Sequence, residues 1–321
     1  MRITKISDNF IPLHEGILFE IDSESETPTD IVVEIVDVAT REVVGTQLLR
    51  NTTSTTINIA PYMARLEGYA PTSPSHTTFA EAPTASYRVR IDNIESEEVV
   101  VSVNRCRIDS KPSIVASLPN RRRIAHGESD ELLIVAESGH TLYAEIVADT
   151  GETLHIEHLS LSGVSTLAIS TNDFETEIGS LDITLYCEGK EFGSLHYAVT
   201  KPLKTATRVA WLSECGAIER YSFPSTHRVK CSADKQTIAT KEGVMAAQSR
   251  AKRTISLCSR IEPRATIEAL SQLISAPKVW VEQNNGWHLV EVTTPQVEYN
   301  LLGEPSFLHL DISLWEKEVA L

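Results

Sequence analysis

The sequence predicts a mainly β protein: two tandem β-sandwich domains of immunoglobulin-like type over 1–110 and 111–203, then an α+β domain with one main helix over 204–321. Three observations lead there. Apolar and polar residues alternate at a period of two through most of the first two segments, the pattern of strands with one buried face. Stretches of the first segment recur about 110 positions later. Charge and tryptophan content then change near residue 204.

The charge change is plain in the counts. Residues 1–110 carry 9 basic and 17 acidic side chains, 111–203 carry 6 and 14, and 204–321 carry 14 and 13. All four tryptophans, Trp211, Trp280, Trp287 and Trp315, fall in the last stretch. Lys111-Pro112 and Lys201-Pro202 mark the expected boundaries, because proline holds its predecessor extended and cannot donate to a ladder.

The repeat rests on two matches at nearly one offset. EIVDVATREVV (34–44) resembles EIVADTGETLH (145–155), and TTINIAPY pairs with STLAISTN, aligning Ile57 with Leu167 and Ile59 with Ile169. Asp149-Thr150-Gly151 is a hairpin signal, since glycine accepts positive φ. Each segment ends in a second hairpin: YRVRID and VVVSV around Glu95-Ser96-Glu97, and LDITLY and SLHYAV around Glu188-Gly189-Lys190. The offset shrinks by 16 residues between the two hairpins, so the first segment holds an insertion between 60 and 87. Rich in Pro, Ser and Thr, it reads as a long surface loop.

The last third reads differently. Strands are expected at 208–212 and 220–223 around Gly216, and at 228–233 and 250–260. A helix follows, with Pro263 in its first turn, Ile267, Leu270 and Ile274 on one face, and Pro277 as its stop. Residues 279–282 and 288–293 form a hairpin about Asn284-Asn285-Gly286, and the alternation from Phe307 to Leu314 is a closing strand.

The run VAWLSECGAIERYSF (209–223), then LSQLISAPKVWV (270–281), resembles tail-associated structural proteins of phages and prophages. The shared positions are Trp211, Leu212, Gly216, Tyr221, Phe223, Leu270, Ser275, Pro277 and Val279, while Ser213 stands where that pattern has Asn. The resemblance covers about a third of the chain. It implies a virion structural role and no catalytic residue. The expected partners are further copies of the chain and other virion proteins; the expected place is the bacterial host cytoplasm during assembly and then the virion. The runner-up is an immunoglobulin-like interaction or adhesion module unrelated to phage, and third a carbohydrate-active enzyme, which needs a carboxylate pair across a cleft.

Chemistry-bearing clusters are few. A net charge of −15 argues against a general nucleic-acid binder. No run of 18 apolar residues spans a membrane, and the opening residues lack the apolar core of a signal peptide. Cys106, Cys187, Cys215, Cys231 and Cys258 have neither disulfide-framework nor metal-knuckle spacing. His155 and His158, at odd spacing on a strand, face opposite ways, so no metal or other cofactor is expected. His126, Ser129 and Asp130 include triad residue types, but in a local turn rather than converging from rigid elements. Arg250, Lys252 and Arg260 share a strand face that reads as hydrated. Candidate interface residues are Arg121, Arg122 and Arg123, as an anion- or acid-binding run, and Trp280 and Trp287 flanking the Asn-Asn-Gly turn.

Overall fold

A computed structural model describes residues 1–7, 16–63, 70–102, 111–174, 178–284, 286–299, 306–315 and 319–320. The chain is mainly β, and the strands among the described residues lie in five sheets.

The first segment contributes β1 (Arg2–Lys5), β2 (Leu18–Asp22), β3 (Thr29–Asp37), β4 (Val43–Thr52), β5 (Ser54–Asn58), a single helical turn α1 (Ala60–Met63), β6 (Thr78–Glu81), β7 (Thr84–Ile91), β8 (Ile94–Glu95) and β9 (Val99–Ser102). One sheet runs β1–β2–β5; the other runs β4–β3–β7, with β8 and β9 both paired to β7. The period-two alternation turns Phe19, Ile21 and Ile57 of one sheet toward Val33, Ile35 and Val89 of the other, in one buried core. The second hairpin turns earlier than the sequence suggests. Ile91 stands opposite Ile94 across Asp92, whose φ is +51°. Ser96, expected in the turn, is buried, and its hydroxyl accepts from the Val89 amide at 3.0 Å.

Next come β10 (Ser113–Val115), β11 (Arg121–Ala125), β12 (Ser129–Val135), β13 (Thr141–Ala148), β14 (Thr153–Leu159), β15 (Val164–Ser170), β16 (Ser180–Cys187) and β17 (Lys190–Thr200). β10–β12–β15 repeats the order β1–β2–β5, and β14–β13–β16–β17 repeats β4–β3–β7–β9. The turns predicted at Gly151 (φ +89°) and Glu188-Gly189 (φ +48° and +73°) are present. β11 adds in parallel to the free edge of β17.

The inserted stretch departs from expectation. Part of it, 64–69, lies outside the described residues. The described remainder is not a free loop. β6 pairs antiparallel with β15, Phe79 opposite Leu167, so a strand encoded inside the first sandwich extends a sheet of the second. The alternation in Thr-Phe-Ala-Glu has a physical reason: Phe79 and Glu81 face that neighbour, and Phe79 joins its core.

The last segment holds β18 (Thr207–Leu212), β19 (Ile218–Phe223), β20 (Ser225–Thr240), β21 (Gly243–Cys258), α2 (Arg264–Ser271), β22 (Val279–Gln283), β23 (Gly286–Val292), β24 (His309–Trp315) and β25 (Val319–Ala320). They form one sheet, β19–β18–β22–β23–β24–β21–β20, with β25 also on β21. Helix α2, extended by a short 3-10 turn to Ile274, buries Ile267, Leu270 and Leu273 against Trp211, Phe223 and Leu257. The 228–233 and 250–260 strands are parts of one long hairpin of two 16-residue strands.

Candidate functional site

The most elaborated polar chemistry lies where the second sandwich meets the last sheet. Arg122, the second residue of β11, points inward and is 4% exposed. It sits 3.4 Å from Asp130 and 3.3 Å from Glu219, and donates to the Pro119 and Leu118 carbonyls. Asp130 also accepts from the Tyr197 hydroxyl at 2.8 Å. Glu219 accepts from the Ser117 and Leu118 amides, so the β10–β11 connection is fixed to β19. Burial alone would lower the Arg122 pKa, but Glu219, Tyr197 and Asp130 outweigh it and hold the guanidinium charged. Burial pushes the Glu219 carboxyl upward, partly offset by Arg122 and the two amides.

Three further arginines continue the junction. Arg220, with a fully buried side chain, lies 2.9 Å from Glu131 and donates to the Thr72 carbonyl at 2.9 Å. Arg208 lies 2.6 Å from Glu128 and also donates to the Ser129 carbonyl. Arg123 is 2.8 Å from Glu262, which accepts from the Tyr221 hydroxyl as well. Glu128 and Glu131, acids of the turn that offered triad residue types, therefore pair with the last sheet, and Asp130, held mainly by Arg122 and Tyr197, lies 4.0 Å from Arg220. Along β12, Leu132 and Ile134 enter the sandwich core while Leu133 and Val135 pack toward Ala217; Asp130 shares the first face and Glu131 the second.

The inserted stretch ties in all three segments. Ser73 donates to Glu282 at 3.1 Å and accepts from the Trp287 indole at 2.9 Å. His76 and the Thr77 amide engage Asp173. Glu81 accepts from the Leu161 and Ser162 amides and from His158. Ala82 packs with Leu133, Val135 and Val164 of the second sandwich and Ala217 of the last sheet. Residues 70–82 thus form a strap across the molecule.

The sequence-predicted candidates divide accordingly. Arg121 is exposed, Arg122 buried, and Arg123 half-exposed in an internal ion pair. The run is a strand, not a solvated loop. Trp280 is buried with Ala210, Leu212 and Ile218 on the face of the last sheet away from α2. Trp287 is half-buried beside it, with the Arg220 guanidinium 5.8 Å over its ring. Both indoles are engaged within the chain. Lys252 pairs with Glu291 at 3.2 Å, while the Arg250 side chain lies outside the described residues. His155 and His158 face opposite sides, His158 stacking on Phe79 with ring centroids 5.5 Å apart. Among the described residues no group of three His, Cys, Asp or Glu side chains converges as metal ligands. Cys187, Cys215, Cys231 and Cys258 are free, and Cys106 is outside the described set.

A cleft of about 600 Å³ opens beside the junction, lined by Arg121, Arg123, His196, Tyr221, Glu262 and Pro263 among others. Its walls offer arginine–carboxylate pairs already closed on each other. Among the described residues no helix is long and apolar enough to cross a membrane.

No protein-family model matches the sequence, and no curated protein matches it. Among solved structures, a Salmonella α-2-macroglobulin mutant aligns over 93% of this chain and 24% of its own, at 10% identity and TM-score 0.22. Domains 4–9 of the surface layer protein SbsC align over 97% and 42%, at 9% identity and TM-score 0.22. The chicken interferon gamma receptor alpha chain aligns over 63% and 98%, at 11% identity and TM-score 0.19. The chain spans a quarter to under half of the first two, and similarity this distant carries no argument about function.

Proposed function

We propose that the chain is a non-enzymatic structural component of a phage or prophage tail or baseplate. Two immunoglobulin-like sandwiches with boundaries near 110 and 203 act as spacers, and the α+β segment with its one main helix is the anchor. The observation that carries this reading is the junction: Arg122, Arg208 and Arg220, each at most 7% exposed, pair with acids across the boundary between sandwich and sheet. The strap from the first sandwich closes over the same junction. Buried ion pairs add little net stability but penalise every arrangement that leaves them unpaired, so they define geometry. A chain that must hold three units at fixed angles needs this; a hydrolase needs free carboxylates, and Asp130 and Glu262 are each held by arginine and tyrosine. The sequence resemblance of 209–223 and 270–281 to tail-associated proteins points the same way.

Particles purified after induction of a host carrying the gene test it. The chain is expected in the particle fraction at a stoichiometry comparable to other tail proteins. Its confinement to the soluble lysate, with tailed particles forming normally in its absence, contradicts the reading.

A further inference from the structure

The hairpin of β20 and β21 is out of proportion to the sheet that carries it. β24 covers β21 from Cys258 to Lys252 and β25 covers Ser249 and Gln248; nearer the tip, β21 has no second neighbour among the described residues. Among the described residues β20 is the open edge along its whole length. The two strands continue paired to Thr240 opposite Gly243, so a bare two-stranded ribbon, five residues of β21 long, extends about 17 Å past the sheet. Every residue from 235 to 245 is exposed, including Ile238 (49%), Val244 (74%) and Met245 (50%). A lone ribbon is marginal in water, and an open edge with apolar side chains calls for a cover.

Charge says what the cover is. Residues 225–258 hold seven basic side chains, Arg228, Lys230, Lys235, Lys241, Arg250, Lys252 and Arg253, against Asp234 and Glu242. The ribbon is therefore net +5, and the other residues of this −15 chain are net −20. A basic two-stranded ribbon also suits a DNA groove, but the acidic remainder repels a polyanion. The matching surface is in the chain itself. The outward face of β14–β13–β16 carries Glu157 and Tyr186 opposite Tyr143, and His155 opposite Glu145. The Tyr143 ring lies 5.7 Å from those of both His155 and Tyr186, so the acids surround an aromatic patch suited to lysine and arginine side chains.

We propose that this ribbon is an assembly arm that docks on the acidic, tyrosine-bearing face of the second sandwich in another copy of the chain. The inference deepens the structural-component reading and rests on it. The two surfaces differ, so the contact is heterologous and propagates into a ring or a filament. The edge lysines oppose indiscriminate strand pairing, leaving the charged face as the favoured seat.

Sedimentation velocity of the full chain tests this with two variants at exposed or half-exposed positions. One carries Lys230→Glu, Lys235→Glu and Lys241→Glu; the other carries Glu145→Lys and Glu157→Lys. The wild type is expected to associate at low ionic strength and dissociate as salt is added. Each variant alone is expected to stay monomeric with an unchanged circular-dichroism spectrum, and the two mixed to associate again, because their reversed charges complement one another. A monomeric wild type at low salt, variants that associate as the wild type does, or a mixture that stays monomeric overturns the proposal. So does tight binding of duplex DNA by the wild type that the arm variant loses. Presence of the chain in particles together with any of these outcomes leaves the structural reading standing and removes the arm from it.

Discussion

Phe79 stands opposite Leu167 in antiparallel register and packs in the core that Leu167 helps form, although the two belong to different repeats of the sequence. The second sandwich is thus completed by a strand from within the first. The strand order explains the opening it fills: β15, like its counterpart β5, ends its three-stranded order, and β6 takes the vacant side.

Phe79→Ala is expected to destabilise the chain by about 3 kcal/mol, the low end for truncating a core phenylalanine, because one edge of the ring reaches solvent. Urea unfolding followed by far-ultraviolet circular dichroism measures it, since every tryptophan lies in the last segment. A change within ~0.5 kcal/mol, the scatter of surface substitutions, would mean that the strand is not part of that core.

Arg122→Ala is expected to cost about 3–5 kcal/mol, since it strands Glu219 without a cation and leaves Asp130 only Arg220, 4.0 Å away. Replacing the group together, Arg122→Met with Glu219→Leu and Asp130→Asn, should cost much less than the single change. Equal losses for the single and the triple variant would show that packing, not uncompensated charge, dominates.

Acid is expected to release the strap. Burial pushes the Glu81 carboxyl up, but the Ser162 hydroxyl, the Leu161 and Ser162 amides and His158 outweigh it, leaving its pKa below the ordinary 4.5. For Asp173, burial is likewise outweighed, by Thr77 and His76, leaving it below 3.8. Folded pKa values below the unfolded ones mean that the stabilisation is complete above the unfolded values and is lost as pH falls through the folded ones. Glu219 works in the opposite sense: burial raises its folded pKa, so its protonation favours the folded chain as pH falls, and the readout must be local. Cleavage by an acid protease within 70–77 should rise steeply below about pH 4, and Glu81→Gln should already show part of that rise at neutral pH. Cleavage there that is independent of pH would count against these anchors.

Much of the architecture was legible because it rests on local pattern. The paired offsets at Ile57/Leu167 and Ile59/Ile169 gave the repeated strand order, and Pro263, Ile267 and Leu270 gave the helix. The β20–β21 ribbon was read only at its base. Lys235 to Met245 shows no apolar alternation because neither face is buried there, and period two is a signature of burial rather than of strand. The junction was invisible for a different reason. Arg122 looks like its neighbours Arg121 and Arg123, and only the parallel pairing of β11 with β17 turns the middle one inward. The strap was misread since Pro, Ser and Thr are as suited to hydrogen-bonding along a surface as to leaving it. Thr72, Ser73 and Thr77 do the former.

The central claim is that strap and junction join the units into one body, and calorimetry of the full chain tests it most directly. Replacing residues 70–77 with a Gly-Ser linker of equal length and adding Arg220→Met, Arg122→Met and Glu219→Leu provides the uncoupled comparison. The wild type is expected to unfold the second sandwich and the last sheet in one cooperative transition, with equal calorimetric and van't Hoff enthalpies, and the uncoupled chain to split it in two. Separate transitions in the wild type, unchanged in the uncoupled chain, would contradict the account.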